Sequence, residues 1–117
     1  MGAGTRLLVQ YITGALLVVL VLFHFASRIP QLRGADSFVE TLSPEAVYED
    51  LGGASGIILL LLAYAALLHG LNGLRGILLE WTSGRYEKAI TAVLAILFIV
   101  FAGLATYTVI GTQPPAQ

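Results

Sequence analysis

Three long apolar runs, separated by two polar connections, set the pattern of this chain. The first extends from Leu7 to Ser27 without a formal charge, the second from about Gly56 to Leu74, and the third from Ala89 to Gly111. A bilayer core is crossed by about 20 apolar residues, and each run is of that order. In lipid every backbone N–H and C=O must be satisfied internally, which leaves helices or closed barrels. The runs lack the in–out alternation of barrel strands, so they predict three transmembrane helices, over about 7–27, 56–80 and 89–111. The second extends past Leu74 because Arg75 to Glu80 can continue it helically. The expected fold is an all-α membrane protein forming one domain over residues 1–117.

In the first connection, Ser43-Pro44-Glu45 reads as a helix start: an N-cap serine, a first-turn proline and an acid at the positive end of the dipole. A short surface helix from Pro44 to Leu51 is predicted, stopped by Gly52-Gly53. Its Val47 and Leu51 lie one turn apart and can face the bilayer or a partner; a solvated acidic loop with one capped turn explains the same residues equally well. The Pro114-Pro115 tail predicts an exposed end. Leu7–Ser27 is too long for the apolar core of a secretory signal and lacks a small-residue cleavage pattern, so a retained helix is expected.

Composition narrows the chemistry. The chain has 117 residues, of which 57% are hydrophobic and 11% charged, far too apolar for an ordinary soluble domain. It has no cysteine, which excludes disulfides, thiolate-held iron–sulfur clusters and thioether-linked haem within the chain. No Gly-rich phosphate loop is present for a nucleotide or flavin, and a net charge of −1 offers nothing to nucleic acid. Basic residues mark the cytoplasmic side. Arg6, Arg75, Arg85 and Lys88 fall on one side of the predicted helices, and Arg28 and Arg33 on the other. The acids Asp36, Glu40, Glu45, Glu49 and Asp50 weigh little in this count. The N-terminus is therefore expected to be cytoplasmic and the tail from Thr112 to Gln117 external.

The polar residues inside the runs carry the candidate chemistry. Near the end of the second run stands His69-Gly70-Leu71-Asn72-Gly73-Leu74-Arg75. An ionisable side chain in hydrocarbon is costly to leave unpaired, and haem iron is a common partner for a neutral imidazole in helical bundles. Gly73, one turn from His69, removes a side chain where a flat macrocycle would lie. Together they suggest a cytochrome b. The second histidine, His24, lies roughly 5 Å inside the outer end of its helix, and His69 roughly 20 Å inside the outer end of its own. An offset of roughly 15 Å is hard to reconcile with one shared iron, so each histidine, as a ligand, needs an opposing ligand from another chain. Each histidine also fits a second role, as a packing residue hydrogen-bonded to a neighbouring helix, and Gly70, Gly73 and Gly76 fit a close helix-packing face.

His69-Gly70-Leu71-Asn72-Gly73-Leu74-Arg75 followed by Glu80-Trp81 resembles the second transmembrane helix of the succinate dehydrogenase/fumarate reductase membrane anchors, and more narrowly that of the smaller cytochrome b anchor. In that family a haem-ligating histidine precedes a glycine by four residues and an acidic–aromatic pair, usually Asp-Tyr, by eleven and twelve. Gln10-Tyr11-Ile12-Thr13-Gly14-Ala15 resembles the Gln-Arg-x-Thr-Gly/Ala opening of anchors in the two-haem branch, which also carry a histidine at the position of His24. Two positions depart from the pattern. Tyr11 replaces the arginine, so no charge role is carried over, and Trp81 replaces the tyrosine, so its indole can donate a hydrogen bond but not accept one.

The resemblance implies a cytochrome b anchor of succinate:quinone oxidoreductase in the inner (cytoplasmic) membrane of a prokaryote. Its partners would be a second anchor subunit, an iron–sulfur subunit and a flavoprotein subunit. FAD and the iron–sulfur clusters would sit on those partners, with electrons passing to quinone at the cytoplasmic edge of the anchor. Haem b, with two haems shared with the second anchor, would take His69 and His24 as axial iron ligands. Gly73 would make room for the ring, Arg75 and Arg28 would pair with haem propionates, and Glu80 and Trp81 would border the quinone. Arg28 serves equally as a snorkelling charge at a helix end, and Trp81 as an interfacial belt aromatic. A non-redox scaffold subunit is the alternative function. A transporter ranks below both, because the helix interiors offer no carboxylate to couple a cation.

Overall fold

A computed structural model describes residues 2–112. Its elements are α1 (Ala3–Ala26), α2 (Pro30–Arg33), a 3-10 turn (Glu40–Leu42), α3 (Pro44–Leu51), α4 (Gly53–Trp81) and α5 (Glu87–Gly111). The Pro114-Pro115 tail lies outside the described residues. Helices α1, α4 and α5 have 24, 29 and 25 residues, and all three are long and apolar enough to cross a membrane. The three-helix pattern of the sequence is present, with every helix starting earlier than its apolar run. Turns beyond the run can bond to water or to capping groups, so a helix ends where its caps end and not where hydrophobicity does. At about 1.5 Å per residue α4 is about 43 Å long, against a hydrocarbon core of about 30 Å.

Ser43 starts α3 as its sequence predicts, accepting a hydrogen bond from the Ala46 N–H at 3.2 Å. The junction that follows is sharp. Gly52 is extended and Gly53 is left-handed, with φ of 61°, so α4 begins immediately after α3 ends. The Leu51 carbonyl then lies on the first turn of α4, where a Cβ on Gly56 would stand 2.1 Å from its oxygen. Helix α2 and the 3-10 turn have no counterpart in the hydrophobic pattern. Local chemistry makes α2: Pro30 fixes its first turn, and left-handed Gly34 ends it as the Ala35 N–H bonds back to the Pro30 carbonyl at 3.0 Å.

Helix α4 is central and packs against both α1 and α5. Little is buried inside the chain: the buried apolar residues are Ala65, Leu94 and Val109 among those described. Large apolar side chains such as Leu22, Phe23, Ile99 and Ile110 are exposed. Water would penalise so much contiguous apolar surface, whereas lipid or a membrane partner does not. Polar ties fix the register. The Tyr64 hydroxyl bonds the Thr106 hydroxyl between α4 and α5, and a larger polar cluster joins α1 to α4.

Candidate functional site

The α1–α4 cluster is built around His69. Gln10, Thr13 and Gly14 share one face of α1, and His69, Asn72 and Gly73 share the facing side of α4. His69 Nδ1 lies 3.2 Å from the Gln10 backbone carbonyl and 3.2 Å from the Thr13 hydroxyl. A carbonyl can only accept, so the hydrogen in the first contact belongs to Nδ1. The buried Thr13 hydroxyl donates to the Val9 carbonyl at 2.7 Å, which leaves its lone pairs for the same ring N–H. A neutral imidazole protonated at Nδ1 carries its free lone pair on Nε2. This is the arrangement of a metal-binding histidine, whose other nitrogen is held by a backbone carbonyl.

Two glycines permit the close approach. A Cβ on Gly14 would meet His69 Cε1 at 3.2 Å, and one on Gly73 would meet Gln10 Nε2 at 3.0 Å. Gly73 therefore seats the Gln10 amide in this structure. Asn72 Nδ2 completes the cluster, donating to Gln10 Oε1 at 2.8 Å and to the Arg6 carbonyl at 3.1 Å.

Toward the Trp81 end, a groove of about 410 Å³ runs between α1 and α4, lined by Arg6, Gln10, Asn72, Gly73, Arg75 and Gly76 among others. Arg75 is tied to α5, donating to Glu87 Oε1 at 2.9 Å and to the Thr91 hydroxyl at 2.9 Å. Arg6 approaches the same Glu87 carboxylate at 3.6 Å. Two guanidinium groups thus share one half-exposed acid, which leaves the groove with a net positive margin. Glu80 and Trp81 are not gathered into this cluster. They stand at the end of α4, about 16 and about 18 Å along the helix from His69, and Trp81 exposes 81% of its surface.

Toward the Ser27 end, His24 Nδ1 is buried without a hydrogen-bond partner. His24 as a residue borders a cavity of about 140 Å³ that also meets Ser27, Asp50 and Ser55. On its other side His24 borders an open groove of about 470 Å³ with Arg28, Phe25 and Phe38. The Arg28 guanidinium is held in place, with Nη2 at 2.7 Å from Asp50 Oδ2 and Nη1 bonded to the Thr41 carbonyl. Arg33 Nη1 donates to Asp50 Oδ1 at 2.7 Å. All three side chains are 13–16% exposed. Asp50 is thus the common anchor of the first connection.

The two histidines stand at different depths. His69 is level with Thr13, and His24 follows Thr13 by eleven residues, a rise of about 16 Å along α1. Among the described residues no group of three or more His, Asp or Glu side chains is placed to hold a bare metal ion. Both imidazoles do fit a single axial bond to a haem: one has its second nitrogen held by α1, and the other is an orphaned ring at a groove edge. Sequence reasoning missed two features. The Asn72–Gln10 link depends on the register of α1 against α4, and Asp50 reads in sequence as one of several loop acids. Its adjacency to the Gly52-Gly53 junction was the available sign that it would be folded inward.

No curated protein and no solved structure matches the chain. Residues 3–105 match the succinate dehydrogenase/fumarate reductase transmembrane subunit family, and the motif helices α1 and α4 lie within that span. With three helices able to cross a membrane and a match over most of its length, the chain belongs to the succinate dehydrogenase/fumarate reductase transmembrane subunits, and is a membrane anchor of that complex.

Proposed function

We propose that this anchor is a cytochrome b, the smaller of the two anchor chains in a complex of the two-haem branch, with His69 and His24 as axial ligands to separate haems. A second anchor chain supplies the opposing ligands. The observation that carries the reading is the contact of His69 Nδ1 with both the Gln10 carbonyl and the Thr13 hydroxyl, which assigns the ring hydrogen to Nδ1 and leaves the Nε2 lone pair for a ligand bond. Haem b, when bound, supplies a one-electron centre between the iron–sulfur subunit and quinone. The residues of this chain do the rest. Thr13 and Gln10 orient the His69 ring, Gly14 admits it, and Arg6 and Arg75 give the adjoining groove its positive character. Arg75 and Arg28 are candidate partners for propionates, although each already holds a carboxylate of this chain.

On this reading the chain lies in a prokaryotic inner membrane with the Trp81 end cytoplasmic and the C-terminus outside, which the larger number of basic residues at the Trp81 end supports. On that reading Glu80 and Trp81 border the quinone, on turns of α4 that overhang the hydrocarbon core. The flavoprotein and iron–sulfur subunits dock at the same end.

A reduced-minus-oxidised spectrum of the purified complex, with its haem-to-flavin ratio, tests the proposal. His69→Ala and His24→Ala are expected to remove different haems, with His69→Ala the more damaging to quinone reduction. Full haem content in both variants would leave a non-redox scaffold role. Loss of the same single haem in both would refute the separation in depth.

A further inference from the structure

Arg6 and Arg75 reach the groove between α1 and α4 from different helices and converge on one oxygen. Arg75 Nη2 lies 2.9 Å and Arg6 Nη1 3.6 Å from Glu87 Oε1, so the two guanidinium groups stand close enough for one small anion to touch both. Their engagements differ. Arg75 commits Nε to Thr91 and Nη2 to Glu87, whereas the Arg6 guanidinium makes no hydrogen bond among the described residues. Gln10 Nε2, beside the bare backbone of Gly73, and Asn72 Oδ1 are likewise unbonded there. None of these atoms is sealed in the interior, since the buried atoms without a partner lie at His24 and Asp50. Arg6 and Arg75 are the charged residues lining the groove, and Glu87 offsets only one of them.

The groove therefore suits a ligand with one negative charge, several acceptor oxygens and a hydroxyl to meet Asn72 Oδ1. A neutral carbonyl compound would leave the charge unanswered, and a zwitterionic head group would bring an ammonium toward two guanidinium groups. Depth narrows the choice. Arg75 is about 9 Å from the end of α4 and Arg6 about 5 Å from the start of α1. Helix α4 exceeds the hydrocarbon core by about 13 Å over its two ends, which sets both arginines near the boundary where lipid phosphates lie. Leu7 and Leu79 add apolar walls beside them. We propose that this groove binds the phosphate of an anionic membrane lipid, such as one with a phosphoglycerol head group, between Arg6 and Arg75 with Gln10 Nε2 as a further donor. Basic pockets between membrane helices capture anionic head groups by this chemistry.

Native mass spectrometry of the purified complex, equilibrated in micelles with equal phosphatidylglycerol and phosphatidylcholine, tests the proposal. Preferential retention of phosphatidylglycerol is expected, falling by about fivefold in Arg6→Gln. Glu87→Gln removes the competing acid and should raise retention, an outcome that simple damage to the helix packing would not produce. Arg85→Gln, on an exposed residue outside the groove, should change nothing. A fall in Glu87→Gln, or equal falls in Arg6→Gln and Arg85→Gln, would overturn the site. Free glycerol phosphate is the second arm: displacement of the lipid at equal concentration would give the groove to a soluble phosphate and refute the lipid. A map with a haem propionate or a partner carboxylate between Arg6 and Arg75 would also overturn it. Haem content, read from the absorption of the same samples, decides the haem reading separately, because retention of the lipid does not depend on it.

Discussion

Gly14 offers a way to separate the stability of the helix pair from the holding of the His69 ring. In Gly14→Ala the new Cβ would stand 3.2 Å from His69 Cε1 and 3.6 Å from Nδ1. Carbon atoms in contact settle at about 3.5–4.0 Å, so the ring must retreat by roughly 0.3–0.8 Å. Its Nδ1 contacts, both 3.2 Å, would then open to the edge of hydrogen-bond reach. Each such bond contributes about 0.5–1.5 kcal/mol, and a glycine-to-alanine change inside a helix gains about 0.8–1 kcal/mol in return. Because the two bonds are stretched and not lost, the effects nearly cancel in stability but not at the ring. Gly14→Ala is expected to leave the unfolding temperature of the complex almost unchanged, while haem affinity at His69 falls by roughly two- to tenfold. Gly14→Val, with a branched side chain, should add an overpacking cost of about 1–3 kcal/mol and lose that haem more completely. Haem-to-protein ratio and haem titration into extracted complex, alongside thermal unfolding, measure both quantities. Undiminished haem affinity in Gly14→Val would refute the claim that this glycine admits the ligand ring.

Asp50→Ala leaves two largely buried arginines without their shared partner and should cost about 3–5 kcal/mol, whereas Arg33→Leu, which leaves Arg28 on Asp50, should cost about 1.5–3 kcal/mol. Denaturant unfolding of the complex checks this order, and equal effects would count against Asp50 as the common anchor. Trp81→Phe and Glu80→Gln should each slow quinone reduction by roughly two- to tenfold while succinate oxidation by an artificial acceptor persists; unchanged quinone kinetics in both would move the quinone elsewhere. Gly56→Ala should displace the α3–α4 junction, because its Cβ would lie 2.1 Å from the Leu51 oxygen. Faster proteolysis of the first connection is the expected readout, and a wild-type cleavage rate would contradict the close contact.

The three long helices were legible because lipid imposes a length and a composition that no loop of this chain shares. Helix α3 was legible for a different reason, since Ser43-Pro44 is a local start signal that needs no tertiary context. Helix α2 and the 3-10 turn escaped because a few residues cannot display a period. In the candidate site, His69 and Gly73 stood out as a spaced pair. The reason for Gln10, Thr13 and Gly14 did not, because it lies in their position opposite His69. Periodicity within α1 identifies which residues share a face, but not which turn of α4 that face meets. The pairing of Arg28 and Arg33 with Asp50 was hidden for the same reason: charge counting treats a loop as a sum, whereas folding assigns its members to one another.

The central place of α4 has a consequence for how freely this chain can vary. Helices α1 and α5 each answer to α4 on one side and present the other to lipid or a partner, where one apolar residue serves much like another. Helix α4 must satisfy α1 through His69, Asn72 and Gly73 and α5 through Tyr64 and Arg75, so neither of those flanks is free to drift. Sequence change should therefore accumulate unevenly across three helices of similar hydropathy, with the middle one the slowest to diverge. In distant relatives α4 would be the segment most fully retained, with α1 keeping the face that meets His69 and α5 the freest to become any apolar span.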